Sequence, residues 1–135
     1  VETRAKGAGF LAMQAVGSVC HKSVEAFLAR HLLTAQTVKT DALPALNAVG
    51  KEHEHLKKAT PPEEAKTWLP LVHIMIGNMK KFINGTFHGV SSHYLQEYLD
   101  EFCYRFNRRF WEPELPLRLL NACLAHGPVK IAEFH

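Results

Sequence analysis

Residues Gly85 to Pro113 read GTFHGVSSHYLQEYLDEFCYRFNRRFWEP, and this stretch decides the fold. Apolar side chains recur at spacings of three and four from Tyr94 onward, which predicts a long amphipathic helix. The helix follows a glycine-punctuated loop and ends in a cluster of arginines and aromatic rings. The preceding segment, Leu71 to Ile83, predicts a second helix that closes at Asn84-Gly85.

The first sixty residues alternate β-rich and helical segments. Gly9 to Val16 (GFLAMQAV) is short, apolar and flanked by glycine, which predicts a buried strand. Thr37 to Thr40 and His53 to Lys58 predict two further strands, with a short helix over Leu43 to Val49 between them. A last helix is predicted from Pro116 onward. Strands that alternate with helices indicate an α/β core, which the remaining helices cover on one face and extend beyond.

Bulk properties exclude several classes of protein. With 135 residues and a net charge of +3, the chain has the size of one mildly basic domain. Its three cysteines (Cys20, Cys103, Cys123) are odd in number and far apart, which argues against a disulfide framework or a zinc ribbon. We therefore expect reduced, mostly buried thiols in a cytoplasmic protein. No apolar run reaches transmembrane length.

Asp41 is the first candidate for chemistry, because it follows directly on a predicted strand. Carboxylates at the carboxyl ends of strands commonly form the sites of open α/β sheets, and divalent metal ions favour such hard oxygen ligands. An aspartate at this place also caps the helix that follows. Both interpretations remain open from the residues alone.

His73 and Lys80 are the second candidates. They are seven residues apart on one predicted helix, so they align to within about 20° and stand about 10 Å apart along the axis. An imidazole can bind a metal ion or position a water, and an ammonium group can hold a phosphate. The alternative is a hydrogen-bonded histidine beside a solvated lysine.

Basic side chains concentrate near the end of the long helix. Arginine forks suit phosphates, and adjacent aromatic rings suit stacking on unpaired bases. Alternatively, arginines at a helix end complement the helix dipole while the rings face the core. The candidate DNA-binding residues are Lys80, Lys81, Arg105, Asn107, Arg108 and Arg109. A separate pair, His53 and His55, lacks ligands at zinc spacing and predicts a solvated, charge-rich edge.

Two segments resemble a known family, and the resemblance covers essentially the whole chain. TVKTDALPALNAV (Thr37 to Val49) resembles the segment that delivers the second catalytic aspartate of DDE-type transposases. NGTFHGVSSHYLQEYLDEFCYRFNRR (Asn84 to Arg109) is similar to the end of the catalytic domain in a group of bacterial insertion-sequence transposases. In that group a G-T-Y/F-H-x-V-S loop leads into a helix with the pattern Y-L-x-E-F-x-x-R-F-N-R-R.

The resemblance implies an RNase H-like fold, and DNA strand cleavage and transfer with two Mg²⁺ ions held by an acidic triad. Asp41 matches the second acidic position. The third falls on His73, seven residues before Lys80, so the triad would read Asp-Asp-His; Asn78 is a second candidate for that position. Imidazole is softer than a carboxylate and neutral, which would shift preference toward Mn²⁺.

The first aspartate of the triad has no counterpart in this sequence. The resemblance therefore predicts an enzyme truncated at its N-terminus, whose RNase H-like mixed sheet lacks its first strand and which is inactive as this fragment. Residues 1–88 would be the partial catalytic core and 89–135 its helical C-terminal part. DNA is the expected partner, both at the element ends and at the target, and the bacterial nucleoid is the expected location. Self-association of the chain is a further expectation. The alternative is a non-catalytic DNA-binding or assembly module derived from a transposase.

Overall fold

Four short strands form two separate sheets. The structure, a computed structural model, describes residues 1–59 and 61–127. Its strands are β1 (Thr3–Arg4), β2 (Gly7–Ala8), β3 (Thr37–Thr40) and β4 (Glu54–Lys57). The first two pair antiparallel and the last two pair parallel. The α/β class is confirmed, but the described residues contain two two-stranded sheets where one mixed sheet was expected.

Helices make up most of the described chain. In chain order they are α1 (His21–His31), α2 (Pro62–Trp68), α3 (Pro70–Phe87), α4 (Leu95–Asn107) and α5 (Leu115–Ala125). Two 3-10 helices, Pro44–Lys51 and Arg109–Glu114, connect β3 to β4 and α4 to α5. None of the described helices combines the length and the apolar character that crossing a membrane requires.

The first core lies beside the parallel pair. Val24 and Leu28 of α1 pack on Ala48 and Val49 of the first 3-10 helix, and Val38 of β3 lies against this cluster. The predicted strands Thr37 to Thr40 and His53 to Lys58 are confirmed, the second as four residues.

The second core joins the N-terminal segment to two helices. Leu11 packs with Met75 of α3 and Cys103 of α4. The cluster therefore contains residues from both sides of the division expected at residue 88. The buried strand predicted over Gly9 to Val16 was wrong, because no strand forms in these residues. Their peptide groups bond instead to side chains of α4, which replace the neighbouring strand that a sheet would provide.

Helices α3 and α4 differ from the predicted bounds. Instead of closing at Asn84-Gly85, α3 continues for another turn, because Phe87 packs on Tyr98 with ring centroids 4.5 Å apart. The chain then reverses at His88 and Gly89, with φ of 51° and 121°, a region that glycine enters at little cost. The long helix after this loop covers only Leu95–Asn107.

The cysteines also depart from expectation. All three are free, but Cys103 alone is buried, and Cys20 and Cys123 are exposed. The prediction of mostly buried thiols was therefore wrong. A helix that exposes nearly all of its side chains, as α5 does, leaves its cysteine at the surface.

Candidate nucleic-acid interface

Asp41 follows the last residue of β3 and is exposed. Its Oδ1 accepts a hydrogen bond from the backbone N–H of Leu43 at 3.3 Å, at the entrance to the first 3-10 helix. This contact closes a turn two residues long and is not a helix cap: the N-cap is Leu43, and no side chain caps it, so the capping role predicted for Asp41 was wrong. Because the carboxylate stays at the surface, it remains accessible to a ligand.

Thr40 fixes the end of β3 against β4. Its buried hydroxyl bonds the carbonyl oxygen of Asp41 at 2.8 Å and lies 2.7 Å from Nε2 of His55. Since the hydroxyl has one proton and donates it to the carbonyl, the imidazole must donate in the second bond. With His53 buried and His55 half-buried, the prediction of a solvated histidine edge was wrong.

Trp68 ties the end of β3 to the start of α3. Its indole N–H donates to the carbonyl oxygen of Thr40 at 2.9 Å, and the ammonium group of Lys39 lies 5.4 Å from the ring centroid. His73, five residues further along, is exposed in the first turn of α3. Trp68, the last residue of α2, thus joins the end of β3 to the chain just before α3, but within residues 1–59 and 61–127 no hydrogen bond joins the side chains of Asp41 and His73.

The polar candidates on α3 lie at the surface. His73, Asn78, Lys80 and Lys81 are all exposed, whereas Met75 points into the second core. Since α3 is uninterrupted from residue 70 to residue 87, His73 and Lys80 share a face as predicted. Among the described side chains neither lysine forms an ion pair. Both ammonium groups are thus available to an external anion.

Two arginines of the basic cluster remain accessible. Arg105 pairs with Glu101 one turn earlier on α4, at 2.8 Å, and its guanidinium lies 5.9 Å from the ring centroid of Phe82. Arg108 stacks on Tyr104 at 3.8 Å and forms no ion pair in the described part of the chain. This cation–π contact holds the guanidinium of Arg105 beside α3.

Asn107 and Arg109 instead bond the chain itself. The Asn107 amide accepts from the backbone N–H of Leu11 at 2.7 Å and donates to its carbonyl at 2.8 Å. Arg109 donates to the carbonyl oxygens of Phe106 at 2.9 Å and of Ala8. These bonds hold the N-terminal segment against the end of α4, so both side chains have a structural task besides any contact with DNA.

Sequence analysis missed Gln96, which performs the same task at the other end of α4. Its Oε1 accepts from the backbone N–H of Ala15 at 2.8 Å, and its Nε2 donates to the carbonyl oxygen of Met13 at 3.3 Å. Gln96 and Asn107 are eleven residues apart, which is about three helical turns, so they project from one side of α4. Two carboxamide side chains at this spacing were the one signal in the sequence that could have predicted this role.

A protein-family comparison matches most of this chain, and the match ends where α4 ends. The sequence model of the ISXO2-like transposase domain matches residues 1–107, from before β1 to the last residue of α4. Comparisons with curated proteins and with solved structures found no match.

Proposed function

Because the chain belongs to the ISXO2-like transposase domain family, an insertion-sequence group that fits the DDE superfamily, we propose that it holds DNA by its backbone phosphates. The contact surface is the outer face of α3 together with the end of α4. A transposase must hold the ends of its element, and phosphate contacts position a protein on DNA without reading its sequence.

The observation that carries this proposal is the state of four basic side chains. Lys80 and Lys81 are exposed and unpaired among the described residues, and half-buried Arg108 stacks on Tyr104 without an ion pair in that part of the chain. Arg105 keeps an exposed guanidinium in spite of its pair with Glu101. An ion pair between exposed groups is weak, so a phosphate can displace or share that arginine.

Duplex binding as a function of salt tests the proposal. Fluorescence anisotropy of a labelled duplex, titrated from low to physiological salt, should show affinity that falls steeply on a logarithmic plot. Replacing Lys80 by alanine should reduce the slope by about 0.9, because one phosphate contact is lost. Lys22→Ala, an equally exposed lysine on α1, is the matched control. A flat salt response would remove these residues from the account of DNA binding.

The finer assignment concerns the catalytic fold. We propose that β3 and β4 belong to an RNase H-like sheet and that Asp41 and His73 are two of its metal ligands, with Lys80 holding a phosphate nearby. A carboxylate at the end of a parallel strand supports the arrangement. The contact between Trp68 and Thr40 supports it too, because it joins the end of β3 to the last residue of α2, five residues before His73 in sequence.

Few side chains that could bind a metal ion lie together in the described residues. The family resemblance implies Mg²⁺ or Mn²⁺, but within the two described ranges no three His, Cys, Asp or Glu side chains gather in a group that could hold one. Asp41 and His73 alone do not fit a two-ion centre, which needs several oxygen ligands around each ion. We therefore derive no strand-cleavage or strand-transfer step from this chain.

A non-catalytic assembly module is the second candidate function. It is favoured by α5, which lies beyond the matched residues and exposes Leu117, Leu120 and Leu124 at spacings of three and four. Such a stripe is typical of a helix that packs against another helix. Light scattering of the wild type and of Leu120→Lys separates the two candidates: self-association that the lysine abolishes, together with DNA binding indifferent to Mn²⁺, would favour the module.

A further inference from the structure

Three aromatic rings are left exposed around one recess at the end of α4. Phe110 is 77% exposed, Phe10 57% and Trp111 45%. They line a shallow recess of about 50 Å³ together with Arg4 and Arg109. Single exposed rings are ordinary on a protein surface, but three that share a recess mark a binding surface. We call this set the aromatic recess.

Cationic groups accompany the rings. The guanidinium of Arg4 lies 5.1 Å from the ring centroid of Phe10, and that of Arg109 lies 4.4 Å from the ring centroid of Phe110. Arg118 approaches Trp111 at 5.4 Å. Each guanidinium covers only part of its ring, as the exposures show, so flat apolar faces and positive charge stand side by side. This combination complements a flat, uncharged group joined to an anion.

The backbone behind the recess is held firmly. Glu2 accepts from the backbone N–H of Phe10 at 2.8 Å and binds Arg4 through two hydrogen bonds, at 2.8 and 3.0 Å. Gly9 is buried beneath this pair, and a Cβ there would lie 2.3 Å from the Glu2 carboxylate. On the opposite side Asn107 and Arg109 anchor the same segment to α4. A ligand therefore meets a surface already arranged, which lowers the entropy lost on binding.

We propose that the aromatic recess binds an unpaired nucleotide of single-stranded DNA. The base stacks on Phe110 and Trp111, and the adjoining phosphate lies toward Arg4, which lines the recess and whose side chain stays 55% exposed in spite of its pair with Glu2. Stacking tolerates any base, because every base has a π face. The inference rests on the proposed function, since it adds a single-stranded site to a surface that holds duplex phosphates.

Phe110→Ala tests the recess without disturbing a core, because the side chain is mostly exposed. Binding is followed by anisotropy of a labelled single-stranded oligonucleotide and by the fluorescence of a 2-aminopurine within it, which stacking quenches. Truncating one stacking ring should weaken single-strand binding by about 5- to 100-fold and restore the fluorescence. Phe110→Tyr should retain both signals. Leu33→Ala, at a leucine 80% exposed in the loop after α1, is the control and should change neither.

Duplex titrations run beside these measurements separate the two proposals. Loss of single-strand affinity in Phe110→Ala, with duplex affinity unchanged, supports the recess. Equal single-strand affinity in Phe110→Ala and the wild type overturns it, while salt-dependent duplex binding that weakens in Lys80→Ala still supports the proposed function. Unquenched 2-aminopurine in the wild type, combined with self-association lost in Phe110→Ala, also overturns the recess by assigning the rings to a protein contact.

Discussion

Replacing Asn107 by alanine is the perturbation whose cost follows most directly from the structure. The carboxamide makes two hydrogen bonds to the peptide groups of Leu11, a residue only 4% exposed. Water cannot readily replace the lost partner, so the variant leaves a buried N–H and a buried C=O unsatisfied. Each such group costs about 1–3 kcal/mol, and we expect a loss of about 2–4 kcal/mol in the free energy of unfolding.

Urea unfolding followed by circular dichroism measures this loss, and thermal unfolding should show a midpoint lowered by roughly 8–16 °C. Asn107→Asp keeps the acceptor for the Leu11 N–H but turns a second acceptor toward the Leu11 carbonyl oxygen, so it should destabilise the fold as well. Asn47→Ala is the matched control, because that amide makes one exposed bond, to Lys57 at 3.1 Å, and should cost little. An Asn107→Ala protein as stable as the wild type, with weakened DNA binding, would refute this reasoning and favour the direct DNA contact predicted from sequence.

Four other measurements follow from contacts in the structure. Asp41→Asn keeps the oxygen that accepts from the Leu43 N–H, so the free energy of unfolding should change by less than about 0.5 kcal/mol, while any Mn²⁺ binding seen by titration calorimetry should weaken; unchanged affinity would remove the carboxylate from the metal proposal. Trp68→Phe should lose about 1 kcal/mol of stability, because the carbonyl of Thr40 loses the indole donor and keeps only the long bond from the Lys58 N–H at 3.4 Å, and an unchanged urea midpoint would contradict this. Burial raises the pKa of the Cys103 thiol above that of an ordinary thiol, about 8.5. Its contribution to the free energy of unfolding is therefore complete below that pH and is lost as pH rises above it. In Cys103→Ala the free energy of unfolding should fall less steeply with alkaline pH than in the wild type. Hydrogen bonds to Ser23 lower the pKa of exposed Cys20, so alkylation monitored by mass spectrometry should label it at lower pH than Cys103, and the reverse order would count against both assignments.

Local patterns were sufficient for the elements around Asp41. The run Thr37 to Thr40 is β-rich and ends at an aspartate, and its strand needs only one neighbour to form. The strand from His53 was predictable for the same reason, but its parallel pairing was not, because pairing depends on how the connection packs against α1.

The N-terminal segment shows why other elements could not be predicted. Gly9 to Val16 has the composition of a buried strand, and it is indeed partly buried. What it lacks is a neighbouring strand, since Gln96 and Asn107 satisfy its peptide groups from 81 and 96 residues away in sequence. A side chain that bonds distant backbone carries no periodic signal, and for that reason the Asn-Arg-Arg cluster looked uniformly suited to DNA.

The end of α3 illustrates a competition between local and tertiary terms. Asn84-Gly85 is a sound stop signal, and an interior glycine costs a helix about 1 kcal/mol relative to alanine. Packing of Phe87 on Tyr98 outweighs that cost, so α3 ends at Phe87 and is followed by His88 and Gly89, both with positive φ. The assignment of Asp41 and His73 as metal ligands stays a prediction. The structure adds only that both side chains are exposed and that Trp68 joins the end of β3 to the chain before α3.

The two hydrophobic clusters have a consequence for how the protein opens. Among the described residues they share no buried side chain, and the indole of Trp68 joins the end of β3 to α2. Clusters divided in this way tend to lose their structure as separate cooperative units. Amide hydrogens of α1 and β3 should then exchange with solvent deuterium at a rate different from those of α4, so one half of the molecule can loosen while the other keeps its shape.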